Sequence, residues 1–140
     1  MPHADPVTLP AEVMPALQGA IPATIVTCAL DGEPNATTVS QVHYVDRNHV
    51  ALSFQFFSKT IRNVRENPYA AVQVINPVDF SVWLFDLRYD HSETEGPLFD
   101  DMDMKLEAIA SMTGMSDVFK LRGADVYEVL AVRKAPWRRT

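Results

Sequence analysis

The sequence predicts a mainly β (α+β) domain: a small, closed or nearly closed antiparallel barrel of six strands flanked by short helices. Three observations carry this. Segments rich in β-branched and aromatic residues recur, bounded by Gly, Pro, Asn and Asp. Only two or three stretches have helical spacing. The chain has 140 residues, the length of one domain and one core. The expectation is a single domain over 1–140, with 1–9 as a loose arm and 134–140 as a tail.

Leu9 to Gly19 is a short helix candidate, with Pro10 near its start and Pro15 inside it. Ala23 to Leu30 (ATIVTCAL) is the first strand, closed by the Asp31-Gly32 turn signal. Thr37 to Val45 (TTVSQVHYV) is the second. Val50 to Phe57 (VALSFQFF) alternates: Val50, Leu52, Phe54 and Phe56 share one face, and Ala51, Ser53, Gln55 and Phe57 the other. These three strands read as a meander. Ser58 to Glu66 (SKTIRNVRE) is a helix with Ser58 as N-cap, stopped by Asn67-Pro68. Ala70 to Ile75 and Phe80 to Tyr89 are the fourth and fifth strands. Gly96-Pro97 opens a helix to about Thr113, with Leu98, Met102, Leu106, Ile109 and Thr113 on its apolar face. Asp125 to Arg133 (DVYEVLAVR) is the last strand. A barrel this small is filled by its own side chains, so a ligand is expected outside it or between two copies.

Hydrophobic residues make up 47% and charged residues 21%, which is a globular rather than a disordered balance. No apolar run approaches the ~20 residues that span a bilayer, and the start shows no secretory pattern. The lone Cys28 excludes an internal disulfide and sets the expectation of a reducing, cytoplasmic compartment. Twelve Lys and Arg against eighteen Asp and Glu give −6. That balance disfavours nucleic acid, which needs a broad cationic face, and no membrane partner is expected. Residues 58–66 depart from it: Lys59, Arg62 and Arg65 against Glu66 give +2.

That segment is the most informative for function. A helix start with Ser58 and Thr60 hydroxyls and the Lys59 ammonium suits an anion such as a phosphate. Spacing alone is also the mark of an ordinary solvated face. The preceding strand adds Ser53 and Gln55 on one face, with Gln41 on the neighbouring strand. These are neutral groups able to read the edge of a heterocycle. Phe54, Phe56 and Phe57 offer stacking surface. Together they suit a phosphorylated aromatic cofactor.

SFQFFSKTIRNVRENPYAAVQV resembles the cofactor segment of the pyridoxamine 5′-phosphate oxidase-like flavoproteins, the FMN-binding split β-barrels. GPLFDDMDMKLEAIASMTGMSDVFKLRGADVYEV is similar to the C-terminal half of a bacterial subgroup of them. The resemblance covers about residues 20–133. It implies a homodimer with FMN at the subunit interface. Ser58, Lys59 and Thr60 match positions that bind the FMN phosphate. Ser53, Phe54, Gln55 and Phe56 match the strand along the flavin, and Thr38, Val39, Ser40 and Gln41 the strand beneath its ring. Trp83 matches a partner-subunit contact, with core packing as the alternative. True pyridoxamine phosphate oxidases carry Arg-x-x-x-Leu-Lys on the second strand, where this chain has TTVSQVH. They also extend into a longer C-terminal segment, where this chain ends KAPWRRT. The expectation is therefore an FMN-dependent oxidoreductase related to pyridoxamine 5′-phosphate oxidase but of unknown substrate, with no identified catalytic residue and reduced nicotinamide, NAD(P)H, as a candidate electron donor. A flavin sensor or carrier without turnover, and a haem-binding split barrel, are the alternatives.

Other residues carry less. His3, His43, His49 and His91 lack metal-ligand spacing, so no metal is expected. Asp100, Asp101 and Asp103 suit the dipole at a helix start.

Overall fold

The computed structural model describes residues 7–17, 21–54, 59–112 and 121–135, with Phe54 described by its backbone. Seven strands form one sheet: β1 (Ala23–Cys28), β2 (Pro34–Val39), β3 (Val42–Asp46), β4 (His49–Phe54), β5 (Tyr69–Ile75), β6 (Val82–Glu93) and β7 (Gly123–Lys134). Two helices, α1 (Lys59–Glu66) and α2 (Pro97–Met112), and a 3₁₀ segment at Ala11–Leu17 complete the described chain. The sheet order is β2-β1-β5-β6-β7-β4-β3, and every ladder is antiparallel. The edge strand β2 and the next-to-edge strand β4 approach within 8 Å at their Cα atoms, but no ladder among the described residues joins them. The barrel is therefore split rather than closed.

The expectation of six strands is corrected to seven. Thr37 to Val45 is not one strand: the chain bends at Ser40-Gln41, ending β2 and starting β3. The meander is also corrected. Among the described residues β2 pairs only with β1, and β3 pairs with β4 at the far end of the sheet. The segment over Ala11–Leu17 is 3₁₀ rather than α-helix, because Pro15 has no N–H for an i→i−4 bond. The arm is shorter than expected. Leu9 is buried, and its N–H donates to the Arg47 carbonyl at 2.7 Å. β6 starts two residues late because Asn76 to Ser81 is a turn. Phe80 sits there at φ +59, and its N–H donates to the Asn76 carbonyl at 2.8 Å. Thr113, the expected end of the long helix, lies outside the described residues.

Two cores result. Inside the barrel, Ile25, Val50, Leu52, Val72, Phe85, Leu87, Tyr127 and Val129 pack together with Ile61 and Val64 of α1. Outside it, Met102 and Leu106 of α2 pack on Ala51, Ala124 and Val126. Strand alternation separates the two: Val50 and Leu52 point inward, while Ala51 between them points to α2.

Candidate functional site

α1 is docked by polar bonds as well as by its apolar residues. Asn63, 3% exposed, lies on the buried side of the helix beside Val64. Its Nδ2 donates to Thr27 Oγ1 of β1 at 3.1 Å. Asn35 Nδ2 of β2 donates to Thr60 Oγ1 at 3.0 Å. Just past the helix, Asn67 Nδ2 donates to the Cys28 carbonyl at 3.1 Å. A buried amide such as that of Asn63 must find partners, and with the half-buried Asn35 and Asn67 it fixes the helix rotation. They leave Lys59, Arg62 and Arg65 on its exposed side. Lys59 is ion-paired with Glu33. Glu33 is held at the end of the β1–β2 turn, where its N–H donates to Asp31 Oδ1 at 3.0 Å. Gly32 in that turn has φ +90, a conformation that favours glycine.

The second part of the site lies at the β2–β3 bend. Val42 pairs with Leu52 facing inward, and His43 pairs with Ala51 facing outward. One residue further along the same register, Gln41 and Ser53 share the outer face. Both are buried, Gln41 to 4% exposure. Among the described residues the Gln41 Oε1 has no hydrogen-bond partner, a costly state for a buried acceptor. Ser40 and Ser53 have partners of their own. Thr38 is exposed on the edge strand, and Val39 packs partly against the inner core. β2 links the two parts, running from Asn35 at Thr60 to Val39 beside the bend, a rise of roughly 13 Å.

The structure thus brings Lys59 and Thr60 together with Glu33 and Asn35, and Gln41 together with Ser53. Gln55, Phe56 and Ser58 lie outside the described residues, and Phe54 is placed only through its backbone pairing with Gly123. Trp83 is 5% exposed within the inner core. Its indole N–H donates to Ser81 Oγ at 3.2 Å, and Lys134 Nζ lies 5.6 Å from the ring centre. This geometry is that of core packing.

The sequence reading missed Glu33, Asn35 and Asn63. Asn63 carried a signal, as a polar residue on a helix face otherwise occupied by Ile61 and Val64. It also missed a hydrogen-bonded chain that runs from half-buried Tyr89 through exposed Ser92 to buried Asp125. Asp125 is 6% exposed and faces inward. Ser92 Oγ donates to Asp125 Oδ1 at 2.7 Å, so the Tyr89 hydroxyl, 2.5 Å from Ser92 Oγ, is the donor to it. Tyr89 also meets the Tyr127 ring edge-on at 5.5 Å. Burial pushes the Asp125 carboxyl above the usual carboxylate range, opposed by the Ser92 bond and the Arg65 charge. Burial, with the Asp125 charge, likewise pushes the Tyr127 phenol up. For an acid raised in the folded state, the associated stability is complete below its unfolded pKa of 3.8. It is lost as pH rises through the higher folded value. Asp125→Asn is therefore expected to flatten the fall in stability above pH 3.8. Urea unfolding across pH checks this, and an unchanged slope refutes it.

Among the described residues, no three His, Cys, Asp or Glu side chains come together as a metal site, and no helix is long and apolar enough to cross a membrane. None of the curated proteins compared matches the sequence. Solved structures do. An FMN-binding protein from Syntrophomonas wolfei subsp. wolfei superposes with a TM-score of 0.74 at 17% identity, over 91% of this chain and 87% of that one. An FAD-binding protein from Mesorhizobium loti gives 0.59 at 20% identity, over 89% and 91%. The haem storage protein HutZ from Vibrio cholerae gives 0.60 at 14% identity, over 91% and 95%. At these identities the likeness establishes the split-barrel fold. The family follows from the sequence itself, since the model described as pyridoxamine 5′-phosphate oxidase matches residues 9–130: the chain belongs to the pyridoxamine 5′-phosphate oxidase family.

Proposed function

We propose that this chain binds FMN on the outer face of its barrel and acts as a flavin-dependent oxidoreductase on a substrate other than pyridoxamine phosphate. The observation that carries this reading is Gln41 Oε1, a buried acceptor without a partner on a strand face leading toward an anion-competent helix start. A flavin ring carries one N–H able to satisfy such an acceptor. The Thr60 hydroxyl accepts from Asn35 and retains its own proton for a phosphate oxygen. Lys59 is partnered by Glu33 across a half-exposed pair, worth about 0–1 kcal/mol. A phosphate offers the same ammonium a stronger, charge-assisted partner. The residues present therefore fit the cofactor.

Bound flavin would supply the electron-transfer chemistry, while the protein binds, orients and excludes water. The chain's role is then to hold the phosphate with Lys59 and Thr60 and the ring edge with Gln41. The haem alternative has less support. Both ring nitrogens of His43 and of His91 face side-chain partners, as does Nδ1 of His49. A homodimer is part of the proposal. A shallow apolar cleft of about 430 Å³, lined by Val26, Pro34, Tyr69 and Leu130, lies on the sheet and suits burial against a second copy. Sedimentation at assay concentration is expected to give a dimer.

The test is the visible spectrum and an FMN titration of the purified protein. Flavin absorption with stoichiometric binding is expected, and absence of both refutes the proposal. Lys59→Ala is expected to weaken FMN by about 1.5–3 kcal/mol and to leave riboflavin, which has no phosphate, unaffected. Equal losses for both ligands would exclude a phosphate role for Lys59. Steady oxidation of NAD(P)H with FMN present distinguishes turnover from a sensor or carrier.

A further inference from the structure

His43 stands outside that site, in a cleft of about 350 Å³ between the 3₁₀ segment, β3 and α2. It is 8% exposed. Its two nitrogens face opposite charges on one helix: Asp101 Oδ2 lies 3.3 Å from Nε2, and Lys105 Nζ lies 3.5 Å from Nδ1. Lys105 and Asp101, one turn apart, close the triangle at 3.2 Å. Among the described residues these are the charged groups at the ring. The 3₁₀ segment contributes Met14 and Leu17 to the cleft, β3 adds the Tyr44 phenol, and β4 places Ala51 across the ladder.

The triangle admits one protonation state. An ammonium can only donate, so Nδ1 must be the acceptor and the proton resides on Nε2, which faces the Asp101 carboxylate at 3.3 Å. The Lys105 hydrogen bond and the Asp101 contact then hold α2 to β3. A second proton on Nδ1 would point at the ammonium, abolish that bond and place two positive charges side by side. Lys105 is half-exposed and can move to water, whereas His43 is buried and cannot. Asp101 would remain with the imidazolium.

We propose that His43, Asp101 and Lys105 form an acid-sensitive latch that ties α2 to β3 at neutral pH and releases the Lys105 side on protonation. Burial, followed by the Lys105 charge, lowers the His43 pKa, and Asp101 partly restores it. For a base lowered in the folded state, the linked stability is complete above 6.5 and declines as pH falls below it. α2 covers the outer face at Ala51, Ala124 and Val126, the face shared by Gln41 and Ser53. The latch therefore sets how firmly α2 is held on that face, and it operates whether or not a flavin binds there.

The test is NMR titration of the His43 ring in the whole protein, paired with amide exchange of α2. The His43 pKa is expected to rise in Lys105→Met, which removes the neighbouring positive charge, and to fall in Asp101→Asn. After correction for intrinsic rates, α2 amides of the natural protein are expected to exchange about fivefold faster once His43 is protonated, the change made by one net hydrogen bond. In His43→Gln and in Lys105→Met this acceleration should vanish. An unchanged His43 pKa in Lys105→Met, or α2 exchange that ignores the His43 titration, overturns the latch.

Discussion

Met102→Ala is expected to lower the stability of the domain by about 2–5 kcal/mol, a large part of the ~5–15 kcal/mol typical of a domain. Met102 is 0% exposed and, with Leu106, joins α2 to Ala51 and Val126. Truncation removes the buried methylenes and thioether and leaves a cavity. The small residues opposite, Ala51 and Ala124, can collapse into it only by moving the sheet. Denaturant unfolding measures the loss. A change under 1 kcal/mol would mean that α2 is held by something other than this contact. Met102→Leu conserves volume and should cost less than about 1.5 kcal/mol, which separates packing from any special role of sulfur.

Gln41→Leu is expected to act in opposite directions on stability and on binding. Its buried Oε1 lacks a partner, so the amide bears a desolvation cost of about 1–3 kcal/mol without return. Leucine at the same place, beside inward-facing Val42, should raise the unfolding midpoint of the ligand-free protein. If the acceptor serves a flavin ring N–H, the same change should weaken FMN and riboflavin alike, by roughly 10- to 100-fold. The contrast with Lys59→Ala, which should spare riboflavin, assigns the two residues to opposite ends of the cofactor. A variant that is stabilised but binds flavin unchanged would show that Gln41 has no ligand role.

What the sequence disclosed follows from local physics. Alternation in VALSFQFF assigned Val50 and Leu52 to one face and Ala51 and Ser53 to the other, and the two cores keep that division. The Asp31-Gly32 turn and the start of α2 at Pro97 were equally local. The break at Ser40-Gln41 was hidden, because no Gly or Pro marks it and TTV and VHYV both favour strands. Strand order was hidden for another reason: β1 finds β5, and β4 finds β7, through pairings such as Thr24 with Gln73 and His49 with Glu128, which leave no trace in neighbouring residues. Of the candidate site, the Lys59-Thr60 helix start and Gln41 could be named from residue type. The clamp on that helix by Glu33 and Asn35, and the inward Asp125, depended on tertiary approach.

That sheet order also governs how the molecule must come into being. Half of each outer hairpin waits for a strand made much later: β1 for β5, and β4 for β7. β7 is the bridge between the β6 side and the β4 side. Until residues Gly123–Lys134 emerge during synthesis, the chain holds two unjoined sheets with open edges, the sort of transient that templates self-association. Pairings this distant also place the domain among slow folders. Loss of the last strand would not trim the barrel at its rim; it would cut the sheet in two.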